Sequence, residues 1–320
     1  MSYKRFDKED IVISAESITA PAWRNNTTTL TSFTTSSSQI AGSSGDFYFN
    51  VFDTADTTDV QFTVAYGNRV GSGSIPFNST ITSNTPSRAV YGQYRTLING
   101  DENTDFSINS TTPDSVFFIS LERSKYKEKI LPGSLTLKVG DSSTAVLTDN
   151  SKNTITDTFS DAGRVYSIYS GSQGVVDNTT IEYGKIYPDV GIIALSGDVL
   201  QSENLIQNIT LTNTNADNHK LLVDGLNVGG GFTVRSEETL SSNLIFLRVR
   251  NSEFNYSTNP SNLTGSGELL HSVMVDTPQA YITSVGLYND NNDLLATAKL
   301  SKPLLKDFTK EALVRIKLDY

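Results

Sequence analysis

Short runs of apolar residues set off by polar turns recur along most of this chain. The runs DFYFNVFD (46–53) and DVQFTVAYG (59–67) are aromatic and β-branched, bounded by Gly, Asn and Asp, as half-buried strands are. SVFFISLER, SLTLKVG, GRVYSIYSGSQGVV and YGKIYPDVGIIALSG continue the pattern to residue 197. The clearest stretch is YITSVGLYNDNNDLLATAKLSKPL (281–304). Tyr281, Thr283, Val285 and Leu287 share one face, NDNND turns the chain, and Leu294, Ala296, Ala298 and Leu300 share the next. ALVRIKLDY then alternates Val314, Ile316, Leu318 and Tyr320 inward with Arg315, Lys317 and Asp319 outward. This predicts an antiparallel meander whose last strand is either structural or paired with a neighbour.

Helical signals are few. Val199, Leu200, Leu205 and Ile206 in GDVLQSENLIQNI give one short candidate, with a gap that weakens its period. Pro132-Gly133 reads as a type II turn, because Pro presets the first central φ and Gly accepts the positive second one. The mixed charges of RSKYKEK just before it read as a solvated loop or a single helical turn.

Residues 25–46 are Ser/Thr-rich, with Leu30, Phe33 and Ile40 as isolated apolar anchors, too few to offset the entropy of ordering the segment alone. Two readings stand: a disordered tail, or an arm that orders on a neighbouring subunit. The predicted fold class is therefore mainly β, with antiparallel β-sandwich or meander domains, few short helices and an extended N-terminal arm. The predicted domains are an arm over 1–45, a β-rich domain over 46–200 and a C-terminal β-rich domain over 201–320, with the boundary in the polar TNTNADNH.

Composition narrows the function classes. The 320 residues include no cysteine, which removes disulfides, thiolate metal ligands and a cysteine nucleophile together. Fourteen Tyr and fifteen Phe make aromatic rings a major source of buried area. Lys plus Arg (25) against Asp plus Glu (35) gives −10, a sign that repels phosphate backbones, so nucleic acid is not an expected partner. No apolar run reaches signal-peptide or membrane-span length, and no membrane partner is expected.

Catalytic vocabulary is sparse. The two histidines, His219 and His271, are too few for a zinc site without cysteine and read as ordinary surface or loop residues. Asp53, Asp56 and Asp59 lack the glycine and distal glutamate of a calcium loop, and NDNND has Leu294 where that glycine belongs. VGGGF (228–232) lacks phosphate-loop spacing and reads as a bulge or connection. N-x-S/T triplets such as those at Asn78, Asn208 and Asn262 are expected by chance in a chain this rich in Asn, Ser and Thr. No catalytic, cofactor-binding or metal-binding residue is predicted, and no enzymatic activity.

YITSVGLYNDNNDLLATAKLSKPL, taken with FFISLERSKYKEKILPGSLTLKV, YGKIYPDVGIIALSG and FNYSTNPSNL, resembles virion structural proteins of contractile-tailed, T4-like bacteriophages, including those of cyanobacteria. The VGLYN…LLA.AKL hairpin is similar to hairpins of phage tail, baseplate and fibre-attachment proteins. The resemblance covers about residues 88–195 and 243–320. It implies a structural subunit of the tail, most of all the baseplate, assembled in the host cytoplasm and resident in the virion. The implied partners are other tail or baseplate proteins and further copies of the chain. The alternative is a receptor- or glycan-binding fibre module, in which exposed tyrosines, Trp23 and Asn-rich loops would stack on sugars.

Overall fold

The computed structural model describes residues 4–5, 8–35, 48–74, 85–140, 144–154, 157–209, 211 and 218–319. It is mainly β, with antiparallel sheets, 48% strand and 17% helix. The elements run β1 (Ile11–Pro21), β2 (Thr29–Leu30), β3 (Phe33–Thr35), β4 (Tyr48–Asp53), β5 (Asp56–Asn68), α1 (Pro86–Asn99), β6 (Ser115–Leu121), β7 (Lys129–Ile130), β8 (Thr136–Gly140) and β9 (Thr144–Asp149). They continue with β10 (Thr158–Ser160), β11 (Gly163–Ser172), β12 (Val175–Asn178), β13 (Gly184–Tyr187), β14 (Ile192–Ser196), α2 (Gly197–Ser202), α3 (Asn218–Gly229) and β15 (Gly231–Thr233). The last are β16 (Arg235–Val249), α4 (Val273–Asp276), β17 (Gln279–Tyr288), β18 (Leu294–Asp307) and β19 (Ala312–Asp319). The chain divides into two compact units, Ser17–Glu238 and Met1–Glu16 with Thr239–Tyr320.

The larger unit is built on one sheet ordered β2-β15-β8-β9-β11-β13-β14-β6-β5-β4-β3, with β10 and β12 beside β11. Its two end strands, β2 and β3, are separated in sequence only by Thr31 and Ser32. So short a link holds the sheet's ends together, and the sheet curls into a nearly closed barrel. α3 lies over this seam, packing on β8 and β15 to one side and on β3, β4 and β5 to the other. Gly229 and Gly230 then turn the chain from α3 into β15. A Cβ on Gly229 would lie 2.2 Å from the Lys138 carbonyl oxygen, and Gly230 adopts φ +68, so VGGGF serves as a tight helix-to-strand connection.

Two apolar layers hold the barrel. Trp23, Phe62, Phe117, Ile119 and Phe232 belong to the main cluster, whereas Val116, Phe118, Ile192 and Ala194 pack with Tyr91 and Ile98 of α1 in a second. Successive residues of β6 and β14 alternate between these clusters. That is why FFIS and GIIALS read as unbroken apolar runs: both faces of the strands are buried. α1 has Pro at its start and Gly100 in the left-handed conformation after its last residue.

Leu30 and Phe33, expected to find burial on a neighbour or remain disordered, instead sit in the barrel's own core, 3% and 6% exposed. β2 and β3, the strands that close the sheet, give them a place there; Ile40 lies outside the described residues. The Pro132-Gly133 turn forms as expected, with Gly133 at φ +78 and Ser134 N–H donating to the Leu131 carbonyl at 3.2 Å.

The smaller unit has two layers. β16 pairs with β19 over eight residues, Ser242↔Asp319 to Val249↔Ala312, and β1 follows β16 on its other side. β17 and β18 form the expected hairpin as a sheet of their own, but register shifts at Ile282/Ser284 and Leu287/Tyr288 break the expected alternation, so Val285 and Leu287 turn inward while Tyr281, Thr283 and Leu294 are exposed. β19 does not add a third strand to that hairpin. Alternation tells which face of a strand is buried and says nothing about its pairing edge. Leu287 of β17 packs on Ile245 of β16 and Ile316 of β19, so hairpin and ladder meet face to face.

Candidate functional site

The chemistry-bearing residues of the larger unit are occupied with structure. Asp53 accepts from Ala55 N–H at 3.0 Å, and Asp56 from Thr58 N–H at 2.9 Å and its hydroxyl at 2.6 Å. Arg24 pairs with Asp56 at 3.2 Å, while Asp59 engages Lys125 and the Gln61 amide. These carboxylates stabilise the β4–β5 hairpin and its neighbours in separate pairs. Among the described residues, no group of three or more His, Asp or Glu side chains is arranged to hold a metal ion.

Two placements differ from expectation. His219 is buried on α3 with its ring centroid 4.3 Å from that of Phe49; His271 is exposed. Trp23, proposed as a sugar-stacking ring, is 3% exposed. Its Nε1–H donates to the Phe232 carbonyl at 2.7 Å, so the indole is a core element with its polar edge satisfied. Burial also drives the Tyr187 hydroxyl far up and the Tyr166 hydroxyl to about 12, keeping both neutral.

The smaller unit is organised differently. Among its described residues the buried apolar side chains are Ile245, Val249, Leu287, Ala312 and Ile316. Among the described residues, its large apolar side chains exposed to solvent number eleven, against eight in the larger unit, although it holds less than a third of the chain. Ile13 (73%), Val273 (71%) and Leu295 (68%) are the most exposed. Charge is also distributed unevenly. The smaller unit has eleven basic and twelve acidic residues, the larger fourteen and twenty-three. The acidity seen in the whole chain therefore belongs almost wholly to the barrel.

Polar groups in this unit pin loops. Lys306 is fully buried; its ammonium donates to the Asn251 carbonyl at 3.1 Å, the Asn255 side-chain oxygen at 2.6 Å and its neighbour Asp307's carbonyl at 2.9 Å. Three acceptors match three donors, which is what makes burial of the charge tolerable. The Thr309 hydroxyl and amide hold the half-buried Asp307 carboxyl below its usual range, with Lys310 and Lys306 adding to the effect. In NDNND, Asn289 accepts from Asn291 N–H at 3.0 Å and Asp293 N–H at 2.7 Å, the hairpin-turn chemistry expected of it.

A shallow depression of about 410 Å³ opens beside α4, lined by Asn262, Val273, Met274, Gln279 and Tyr281 among others. Its lining holds amides, hydroxyls and apolar groups but no carboxylate, lysine or histidine. It can make apolar and amide contacts, and it has no pair of groups for proton transfer at neutral pH. No helix among the described residues is long and apolar enough to cross a membrane. No protein-family model, no curated protein and no solved structure matches the chain.

Proposed function

We propose that this chain is a structural subunit of a contractile bacteriophage tail, with the baseplate as its place, acting through protein–protein assembly. The observation that carries the assembly role is the smaller unit's inversion: among its described residues, eleven exposed large apolar side chains around a core of five buried apolar ones. We read apolar exposure on this scale as surface that a partner covers. Its near balance of charge also lowers the repulsion that the acidic barrel would meet. Placement in a phage tail rests on the resemblance over residues 88–195 and 243–320. Mass spectrometry of purified virions from a phage encoding the chain tests it, with a stoichiometric, multi-copy signal expected. Absence from the particle refutes the placement.

A glycan- or receptor-binding role is the second reading. Tyr281, 64% exposed beside the Asn262 and Gln279 amides, is the observation in its favour. Saturable binding on a glycan array, lost in Tyr281→Ala, would select it over the first.

A further inference from the structure

We infer that Lys306 and Asn255 join, after folding, in an intramolecular isopeptide bond that locks β18 to the loop following β16. The inference goes beyond the assembly reading and does not depend on it. Lys306 is the one buried lysine among the described residues, and Asn255 is 2% exposed. Lys4, Lys125, Lys129, Lys310 and Lys317 each reach a carboxylate. Lys306 instead donates to three neutral oxygens: the Asn251 and Asp307 carbonyls and, at 2.6 Å, the Asn255 side-chain oxygen. The neighbouring Asp307 carboxylate is taken up by Thr309 and Lys310.

An enclosed charge with no counter-charge in contact is costly to keep buried, and amide formation removes it. Backbone strain falls at the same place. Phe254, a bulky residue, adopts φ +53 immediately before Asn255, a conformation held only where the surroundings enforce it.

The step balances without a further reactant. Nζ attacks the Asn255 side-chain carbon, the bond from that carbon to Nδ2 breaks, and Nζ passes two protons to Nδ2, which departs to water as ammonium. The Asn251 carbonyl accepts from Nζ at 3.1 Å and from Nδ2 at 2.7 Å, so the nucleophile and the leaving group sit side by side on one oxygen. Two reactants held in contact this way reach effective molarities of about 10⁵–10⁸ M. Burial also keeps out the water that would compete for the carbon. The hydrogen-bonded pair is the state from which the bond forms. Once formed, the bond joins residues 51 apart in sequence, a constraint on the unfolded chain of the kind a disulfide supplies, in a protein that has no cysteine.

Intact-mass spectrometry of the full chain tests this. Held folded at mildly alkaline pH, the chain is expected to lose one ammonia, about 17 Da, and to yield on proteolysis a branched peptide joining the segments that carry Asn255 and Lys306. The same chain in guanidinium is expected to keep its full mass, because unfolding separates the two groups. Asn255→Asp should make the same link with loss of water, about 18 Da, whereas Lys306→Met should give no branched peptide. A folded parent chain that keeps its full mass overturns the inference. Loss of ammonia with no branched peptide overturns it too, since a succinimide at an asparagine loses the same mass without joining two segments.

Discussion

The ammonium of Lys306 lies 2.6 Å from the side-chain oxygen of Asn255, and both residues are buried. This contact ties β18 to the loop after β16. In Lys306→Met the Asn255, Asn251 and Asp307 oxygens lose a common donor, at an expected cost of about 1–3 kcal/mol. Hydrogen exchange should show lost protection at residues 251–255. Lys299→Met, on the exposed side of β18, should stay within about 0.5 kcal/mol of the parent in denaturant titration. Equal effects in the two variants would mean that the buried ammonium does not hold the loop.

Asp189 supplies a pH dependence. Partial burial pushes its carboxyl up, but the Arg164 side chain (2.9 Å) and backbone N–H (2.7 Å) pull it down further, leaving it below 3.8. A carboxyl lowered in the folded state contributes stability that is fully present above its unfolded value and lost as pH falls through the folded one. Asp189→Asn should therefore cost more in urea unfolding at neutral pH than below about pH 3. An equal cost at both would show that charge at Asp189 is not what stabilises.

Trp23 is the chain's single tryptophan, so its emission reports on one site. Packed edge-on against Phe232 at 4.8 Å between centroids and 3% exposed, it should emit at short wavelength and resist acrylamide quenching until the barrel unfolds. Trp23→Ala is expected to cost about 3–5 kcal/mol. Facile quenching in the native chain would place the indole on the surface.

Deleting residues 312–319 removes the whole β16–β19 ladder and two buried side chains, Ala312 and Ile316, with Val314 and Leu318 half-buried. Burial of these groups amounts to about 3–5 kcal/mol, enough to unfold a unit with so small a core. Lost exchange protection across residues 239–307 with Trp23 emission unchanged is expected. Arg315→Gln with Lys317→Gln should leave that protection intact. Loss of the Trp23 signal on deletion would instead show that the two units unfold as one.

Much of the local structure was legible because strand periodicity and turn chemistry are local. The β17–β18 hairpin, the inward Ile316 and the Pro132-Gly133 turn follow from alternation and from the φ demands of single residues. α1 was legible in principle, since Val90, Tyr91, Tyr94 and Ile98 share one helical face after Pro86. Pairing partners were not. β19 lies along β16, 63 residues back at its nearest paired positions, and β2 and β3 close a barrel from a segment too polar to announce burial. The same holds for Trp23, His219 and Lys306: residue type marks what a side chain prefers, whereas burial depends on which distant strands and loops close around it. The sequence by itself determined strands, turns, the lack of thiol chemistry and the acidic balance. Only the tertiary structure decided that the acidity collects on one unit and the exposed apolar side chains on the other, because burial and charge separation are properties of surfaces assembled from segments far apart in the chain.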